Sequence, residues 1–525
     1  MNQKLPTNYD EVPYPGSVHV QTHPDRLAVI ATLLGLESAP VQRCRVLELG
    51  CGDGTNVLAM AHSLPHSEFL GIDGAARPIA EGKQMIADLG LSNIRLEQRD
   101  LLKIGADLGT FDYIITHGVY SWVPAPVRDC IMRICAECLA PNGVAYISYN
   151  AYPGCHLRDM VRRMMLFHVR DIDDPMQRVA QGRSLLQFLA TAKSEPDRYQ
   201  LMFQAEIGRP KSYGDGLFYH DDLNPMNQPF YFHEFIAHAA QHGLKFLSEA
   251  ALDGFDPSQY TPATIATLDQ LEGDPIVREQ YLDFLTCRRF RRTLLCRSEI
   301  ALDYQIRCDA IADFFIASEA EPVSPEPDVE SKLPETFRTP TGASIETNHP
   351  VLKAALLHLH QHWPEAIPFA DLLAVARRRP ASAGSEIEGE QADARMLHDL
   401  LLRTYLVGVI ELHAWKPPFV SHVSERPIAS VFARFENRRK NTVPTLRHNG
   451  LEMKDSLSRY LLGLLDGTRD STALVEAMLA FVQSGQAELM NESRPVTDPA
   501  DLRTDLEKGL PAALKVFARS ALLVA

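Results

Sequence analysis

A glycine-rich segment follows a short apolar run at residues 46–56, VLELGCGDGTN. Its glycines, Gly50, Gly52 and Gly54, occupy alternate positions, and glycine lets the backbone approach a ligand closely. A nicotinamide or flavin enzyme would need Gly-x-Gly-x-x-Gly, with a pyrophosphate at the N-terminus of the following helix. Here the third glycine comes one residue early, and the acidic Glu48 precedes the turn. The pattern therefore suits a ligand with a charged amino acid moiety and no phosphate, as in S-adenosylmethionine (SAM).

Two acidic residues end the next two apolar runs. Asp73 closes EFLGID, where a carboxylate can accept both ribose hydroxyl protons, although a helix N-cap is the structural alternative. Asp100 closes IRLEQRD, where its side chain or the adjacent backbone could bind the adenine amine while Leu101 packs on the ring. The order and spacing of these features are those of one βαβαβ half, which predicts SAM binding. The predicted cofactor-binding residues are Glu48, Gly50, Cys51, Gly52, Gly54, Asn56, Asp73, Gly74, Asp100, Leu101 and His117.

Two later loops carry aromatic and polar residues: HGVYSWVP at 117–124 and SYNAYPG at 148–154. Loops after the fourth and fifth parallel strands border the reacting group, because ligands lie outside the carboxyl ends of the strands. Aromatic rings there could form a channel that attracts cations, with about 1 kcal/mol per contact, although core packing is the alternative for each ring. His117 or Asn150 could orient an amine by hydrogen bonding, or could only stabilise its own loop. The predicted channel residues are Tyr120, Trp122, Tyr149 and Tyr152, and the predicted catalytic residues are Tyr120, Trp122, Asn150 and Tyr152.

The elements that position these residues follow from the hydrophobic pattern. Short apolar runs alternate with longer amphipathic stretches from residue 45 to about 152, which predicts βαβ units and a Rossmann-like parallel sheet. Apolar residues at helical spacing then predict a mainly helical middle domain, in which FLTCRRFRRTLL at 284–295 belongs to a helix. Five prolines among acidic residues predict a linker, and helices plus a short strand at LVGVIELH predict a winged-helix-like C-terminal domain. The predicted domains are 1–160, 161–316 and 346–525, with the linker at 317–345.

Composition restricts the class of protein. The chain has 525 residues and a formal charge of -15, which disfavours nucleic-acid binding, and it has no apolar run long enough for a membrane span. Nine irregularly spaced cysteines and the absence of a secretory signal pattern predict a cytoplasmic protein. No metal site is predicted, since Cys130, Cys135 and Cys138 fall on one amphipathic helix as core thiols. The arginines of 288–292 are expected to form internal ion pairs or to bind an acidic partner.

Residues 45–152 resemble the class I SAM-dependent methyltransferases. The loops at 117–124 and 148–154, together with QTHPDRLA at 21–28 and segments 223–250 and 284–295, resemble bacterial methyltransferases with a methyltransferase regulatory domain. That family includes the rickettsial protein lysine methyltransferases, which methylate outer-membrane proteins. The sequence departs from the family at Cys155, where tryptophan often follows Pro-Gly.

The resemblance also implies an N-terminal arm that folds over the cofactor. The arm residues are Tyr9, Asp10, Tyr14 and His23, and a surface arm is the alternative. The leading hypothesis is a protein-lysine N-methyltransferase that binds SAM and a polypeptide with accessible lysines, such as an outer-membrane protein. A small-molecule methyltransferase and a SAM-binding regulator without turnover remain the alternatives, and the oligomeric state is left open.

Overall fold

The computed structural model describes residues 9, 11–195, 197–211, 214–252, 259–271, 273–377, 386–491, 494–495 and 498–525. The helices are α1 Pro24–Leu33, α2 Thr55–Ser63, α3 Ala76–Leu89, α4 Ala125–Cys138, α5 Cys155–His168, α6 Pro175–Ala190, α7 Arg198–Lys211, α8 Asp215–Asp222, α9 Phe232–Gln241, α10 Pro262–Asp269, α11 Pro275–Thr286, α12 Pro350–His362, α13 Phe369–Arg377, α14 Glu386–Leu406, α15 Val431–Asn437, α16 Ser456–Leu464, α17 Ser471–Gln483 and α18 Pro499–Arg519. The strands are β1 Arg45–Leu49, β2 Glu68–Asp73, β3 Ile94–Gln98, β4 Phe111–Thr116, β5 Leu139–Asn150, β6 Leu244–Glu249, β7 Phe290–Arg297, β8 Phe315–Ala317, β9 Glu321–Pro322, β10 Glu335–Arg338, β11 Ser344–Thr347, β12 Ile367–Pro368, β13 Glu411–His413, β14 Thr442–Pro444, β15 Gly450–Glu452, β16 Met490–Asn491 and β17 Arg494–Pro495.

A seven-stranded sheet with the order β3-β2-β1-β4-β5-β7-β6 positions the predicted site. The strands from β1 to β5 pair in parallel, as the alternation of apolar and amphipathic stretches predicts. Buried residues of α1, α2 and α3 pack on one face of the sheet, whereas those of α4 and α9 pack on the other. The glycine turn, Asp73, Asp100 and the loops after β4 and β5 therefore meet at one edge.

The predicted helix at 284–295 is wrong. Helix α11 ends at Thr286, and the following residues form β7, which pairs antiparallel with β5 and β6. The prediction of a helix fails because an arginine such as Arg291 is typical of an exposed position. Its side chain is instead buried, where it pairs with the carboxylates of Glu249 and Asp283. Strands β6 and β7 complete the seven-stranded sheet, so the predicted boundary at residue 160 does not separate the sheet from the middle part of the chain.

Helices predominate between β5 and β6, as predicted for the middle region. Helices α5 to α8 share a core that includes Val161, Met165, Val179 and Phe218. This helical lobe follows directly after the loop at 148–154. It therefore lies beside the predicted acceptor side of the site.

The segment predicted as a linker, 317–345, is ordered instead. It contains β9, β10 and the start of β11, which pair in one small sheet. Phe337 of β10 is completely buried, and Lys353 of α12 donates hydrogen bonds from Nζ to the carbonyl oxygens of Ser331 and Leu333, 2.9 and 3.0 Å away. Composition alone predicts a linker because prolines and acidic residues dominate the segment. The segment also contains Phe337, which packs in the neighbouring core and holds it in place.

Two cores form in the C-terminal part. Helices α12, α13 and α14 and strand β8 pack together with Leu33 of α1, while α16, α17 and α18 form a separate core beside the antiparallel hairpin β14–β15. The short strand predicted at LVGVIELH corresponds to β13. None of the helices that the structure describes is long and apolar enough to cross a membrane.

Candidate active site

The glycine turn connects β1 to α2 with a stretch of backbone that is buried or half-buried. Gly50 has φ 75°, and a Cβ there would lie 2.3 Å from Cγ2 of Val119. Gly52 has φ 58°, and no atom lies within 4 Å of the position that its Cβ would occupy. The left-handed backbone therefore requires glycine at both positions, and the space beside Gly52 is open for a ligand to contact the main chain. The side chain of Cys51 is buried, so this residue would contact a ligand through its backbone.

Glu48 lies at the carboxyl end of β1 with only 4% of its surface exposed. Its Oε1 accepts a hydrogen bond from Asn56 Nδ2 at 2.8 Å, whereas its Oε2 makes no hydrogen bond to the described residues. Burial raises the pKa of Glu48 to about 8, and hydrogen bonds from Asn56 and from the backbone of Val57 oppose this shift. A buried acceptor oxygen without a protein partner is costly, which indicates that a ligand cation completes the site.

Asn56, in the first turn of α2, joins three distant parts of the chain. Its Oδ1 accepts from the backbone N of His19 at 3.0 Å and lies 2.9 Å from Nε2 of His448. Its Nδ2 also donates to Oγ1 of Thr22 at 3.0 Å. The residue that positions Glu48 is therefore itself positioned by the N-terminal arm and by the turn that connects β14 to β15.

Asp73 links the glycine turn to the next helix. Its Oδ2 accepts from the backbone N of Gly52 at 2.9 Å, and its Oδ1 accepts from the backbone N of Ala75 at 2.8 Å, just before α3. Gly74 is exposed, and no atom lies within 4 Å of the position that a Cβ would take there. The carboxylate thus orients the glycine turn. It does not cap α3, whose N-cap residue is Ala75 and has no side-chain capping hydrogen bond, so the N-cap alternative is wrong.

Asp100 and Leu101 lie after β3 at the same edge of the sheet. Asp100 is exposed and caps a short 3-10 turn by accepting from the backbone N of Leu102 at 3.0 Å. Leu101 is half-buried against the core on the α4 side. The glycine turn, Asp73 and Asp100, which the sequence predicts as parts of the cofactor site, therefore lie along the same edge of the sheet.

His117 and Asn150 lie at the ends of neighbouring strands. Nδ1 of His117 is 2.9 Å from the hydroxyl of Tyr146, and its ring centroid is 3.8 Å from that of His19. Burial lowers the pKa of His117 well below its usual value, so the ring is neutral. Asn150 is buried and donates from Nδ2 to Oδ1 of Asn227 at 2.7 Å.

The expectation that Tyr120 and Tyr149 line an open channel is wrong. Each is 1% exposed, because both rings pack against Phe235 between the sheet and α9. The hydroxyl of Tyr120 lies 2.6 Å from Nδ1 of His238 on α9, so this polar group also has a partner within the protein. The alternative of core packing therefore applies to these two rings.

Trp122 and Tyr152 are half-buried and remain accessible. The guanidinium of Arg162 lies 5.3 Å from the Trp122 ring centroid, which is a cation–π contact. Tyr152 stacks on His156 at 4.0 Å between ring centroids. The structure thus separates the four predicted aromatic residues into two core rings and two surface rings.

Three arginines of the 288–292 segment, Arg288, Arg289 and Arg291, form internal ion pairs. Arg291 is completely buried, with Nη1 2.7 Å from Oε1 of Glu249 and Nε 2.8 Å from Oδ2 of Asp283. Arg288 also pairs with Asp283, at 2.8 Å. The three predicted core thiols lie on α4, where Cys135 and Cys138 are buried, whereas Cys130 is only half-buried.

The N-terminal arm packs on the molecule and reaches the glycine turn. The carbonyl of Val12 lies 2.7 Å from Nε2 of His220 in α8, whose ring also stacks on Tyr9. Further along, Lys440 donates from Nζ to the carbonyl oxygen of Gly16 at 2.9 Å. Asp10 lies outside the described residues. Sequence reasoning missed Lys440 and His448 because no local pattern marks a contact with the other end of the chain.

Three family models match successive parts of the chain. A methyltransferase domain matches residues 40–194, a predicted methyltransferase regulatory domain matches 215–297, and the PKMT C-terminal winged helix domain matches 425–522. These matches confirm the predicted α/β methyltransferase fold, the regulatory domain and the winged-helix character of the C-terminal part.

Several proteins are similar to the chain, two of them over nearly its whole length. The uncharacterized protein RP789 of Rickettsia prowazekii is 31% identical over 98% of this chain and 93% of its own length. RP028 of the same organism is 36% identical over 46% of this chain and 96% of its own. PKMT2 from Rickettsia typhi in complex with AdoHcy has a TM-score of 0.88 at 27% identity, covering 98% of this chain and 100% of its own.

Proposed function

Since the chain belongs to the SAM-dependent methyltransferases that carry a regulatory domain and a PKMT winged-helix domain, we propose that its methyl acceptor is a lysine side chain of a polypeptide. The observation that carries this proposal is the likeness to PKMT2 along the whole chain. A shared cofactor domain would leave the acceptor open, because many acceptors are methylated by this fold. Likeness that includes the middle and winged-helix regions favours a shared class of acceptor.

The residues of the site fit SAM. The partnerless Oε2 of Glu48 suits the ammonium of the amino acid moiety, and the open space beside Gly52 allows close approach of the backbone. Asp73 would accept from the ribose hydroxyls, and Asp100 and Leu101 would border the adenine. AdoHcy, which SAM becomes after it loses its methyl group, is the ligand of the PKMT2 structure.

A lysine acceptor must reach the site as a neutral amine. SAM supplies an electrophilic methyl group, so the chain has to orient the amine and to receive its proton. Lowering a lysine pKa from about 10.4 to about 7 corresponds to roughly 5 kcal/mol, which burial next to a cationic cofactor favours. Asn150 would orient the amine, and Trp122 and Tyr152 would attract the ammonium before it enters. Positioning then supplies much of the acceleration.

An aromatic ridge next to Tyr152 supports a polypeptide acceptor. Tyr231 lies 5.3 Å from the Tyr152 ring, Phe284 lies 6.3 Å from Tyr231, and Tyr281 lies 5.9 Å from Phe284, all between ring centroids. Tyr281 and Phe284 are 45% and 49% exposed. Contiguous exposed apolar side chains of this kind mark binding surfaces, and an unfolded outer-membrane protein offers suitable segments.

Methyl transfer to purified acceptors tests the proposal. The full chain is incubated with deuterium-methyl SAM and an unfolded outer-membrane protein, and the products are mapped by peptide mass spectrometry. The matched control is the same acceptor with its lysines acetylated, and free lysine is tested beside it. Labelled lysines in the first sample alone support the proposal.

The other outcomes point to different functions. Label that appears only on small molecules of a cell extract would replace the proposal with a small-molecule methyltransferase. Tight SAM binding without any labelled product would favour a regulator.

We also propose a cytoplasmic location, since the cysteines form no disulfide among the described residues.

A further inference from the structure

A cluster of metal-ligating side chains lies between α4 and α9, outside the cofactor site. It consists of Asp129 on α4, His238 on α9 and His242, which directly follows α9. One donor atom from each residue lies within 4.8 Å of the others. We propose that these three residues bind a divalent transition metal ion, with Zn²⁺ as the best match to two imidazoles and one carboxylate.

The helix geometry favours chelation. His238 and His242 are four residues apart, so their side chains lie on the same face of the helix. Their ring centroids are 5.3 Å apart, and Nε2 of His238 lies 2.8 Å from Oδ1 of Asp129. Donors around a tetrahedral Zn²⁺ are about 3.3 Å apart, so the donors of His238 and Asp129 would move slightly apart and the third donor would move closer. The Asp129 side chain, 60% exposed, is free to make this adjustment.

The surroundings also favour a cation. Both histidines lie at the C-terminal end of α9, where the helix dipole is negative. Asp129, itself a proposed ligand, places a negative charge beside the histidines, whereas the nearby Arg133 guanidinium places a positive charge there that opposes the binding of a cation.

A buried hydroxyl orients the central ligand. Nδ1 of His238 lies 2.6 Å from the hydroxyl of Tyr120, and Tyr120 is 1% exposed and packed in the core. Metal-ligating histidines almost always make such a hydrogen bond through the second ring nitrogen, which fixes the tautomer. Here the bond directs Nε2 towards Asp129.

Metal binding would affect the loop at 117–124 through the hydrogen bond between His238 and Tyr120. In a neutral His238 that donates from Nε2 to Asp129, Nδ1 accepts from Tyr120. When Nε2 binds a metal ion, Nδ1 carries the proton and donates to Tyr120 instead. Occupancy thus reverses the hydrogen bond of a core residue in the loop that borders the site.

Metal titration of the whole protein tests the proposal. The chain is freed of metal with a chelator, and Zn²⁺ is titrated against a chromophoric competitor. We expect one saturable site per chain, weakened about 10- to 100-fold or more by His242→Ala and by Asp129→Asn. Tyr120→Phe, which removes only the hydroxyl, is expected to weaken binding by about tenfold.

A matched control and a second metal make the test decisive. His233→Ala alters another histidine of α9, one that pairs with Gln280, and should leave Zn²⁺ affinity unchanged. Co²⁺ at the site should give the visible absorption of a low-symmetry complex, which His242→Ala abolishes. The absence of a saturable site in the wild type, or equal affinities in wild type, His242→Ala and Asp129→Asn, would overturn the proposal.

Discussion

Proton release on SAM binding follows from the environment of Glu48. Burial raises its pKa to about 8 from an ordinary value of 4.5, so Glu48 is mostly protonated at pH 7. An ammonium bound at the partnerless Oε2 favours the carboxylate, and the proton must leave. At pH 7, one unit below this pKa, ionising Glu48 costs about 1.4 kcal/mol, which the ammonium has to offset. We therefore expect close to one proton to be released for each SAM bound.

The direction of the pH dependence follows from the same shift. Below the pKa of about 8, binding must first remove a proton, so SAM affinity falls as the pH is lowered. The decrease should approach tenfold for each pH unit, until the pH reaches the lower pKa of Glu48 in the complex. Between about pH 6 and 7.5 the ammonium of SAM itself remains largely protonated.

Isothermal titration calorimetry at pH 7 measures the released proton. The apparent enthalpy is compared in buffers with different ionisation enthalpies, for wild type and for Glu48→Gln, which has no proton to release. Glu68→Gln is the matched control, since Glu68 is an exposed glutamate at the start of β2. Wild-type binding without proton release, and with an affinity independent of pH, would refute the reasoning.

Three further predictions concern contacts between distant parts of the chain. His448→Ala removes a partner of Asn56 Oδ1 and should weaken SAM binding by about 1 to 2 kcal/mol in calorimetry, and an unchanged affinity would contradict the role of the hairpin. Arg291→Met leaves the carboxylate of Glu249 buried without its ion pair, so the free energy of unfolding in urea should fall by about 3 to 5 kcal/mol. Lys353→Met removes the donor that the ordered 328–333 segment contacts and should cost about 1 to 3 kcal/mol; an unaltered melting temperature would speak against that anchor.

Local pattern was sufficient to predict the cofactor half of the molecule. The glycine turn, Glu48 and Asp73 occur in one continuous stretch, and each has a distinct physical requirement that the sequence displays. The parallel strands follow one another in the chain, so alternation of apolar and amphipathic segments predicts them directly.

Long-range contacts were beyond sequence reasoning. His448 is 392 residues from Asn56, and nothing near it indicates a ligand-site partner. Strand β7 was predicted as helix because its buried arginine resembles an exposed residue, and the compensating carboxylates come from β6 and α11. Tyr120 shows the same limit, since an aromatic residue in a site loop and one in the core have the same sequence signature.

Mass spectrometry of bacterial lysate incubated with the protein and isotopically labelled SAM tests the central claim most directly. Wild type is compared with Asp73→Ala, which removes the carboxylate that accepts from Gly52 and orients the glycine turn. The proposed lysine methyltransferase activity predicts label on protein lysines with wild type and its loss with the variant. Label that is absent from lysines, or that persists unchanged in Asp73→Ala, would contradict it.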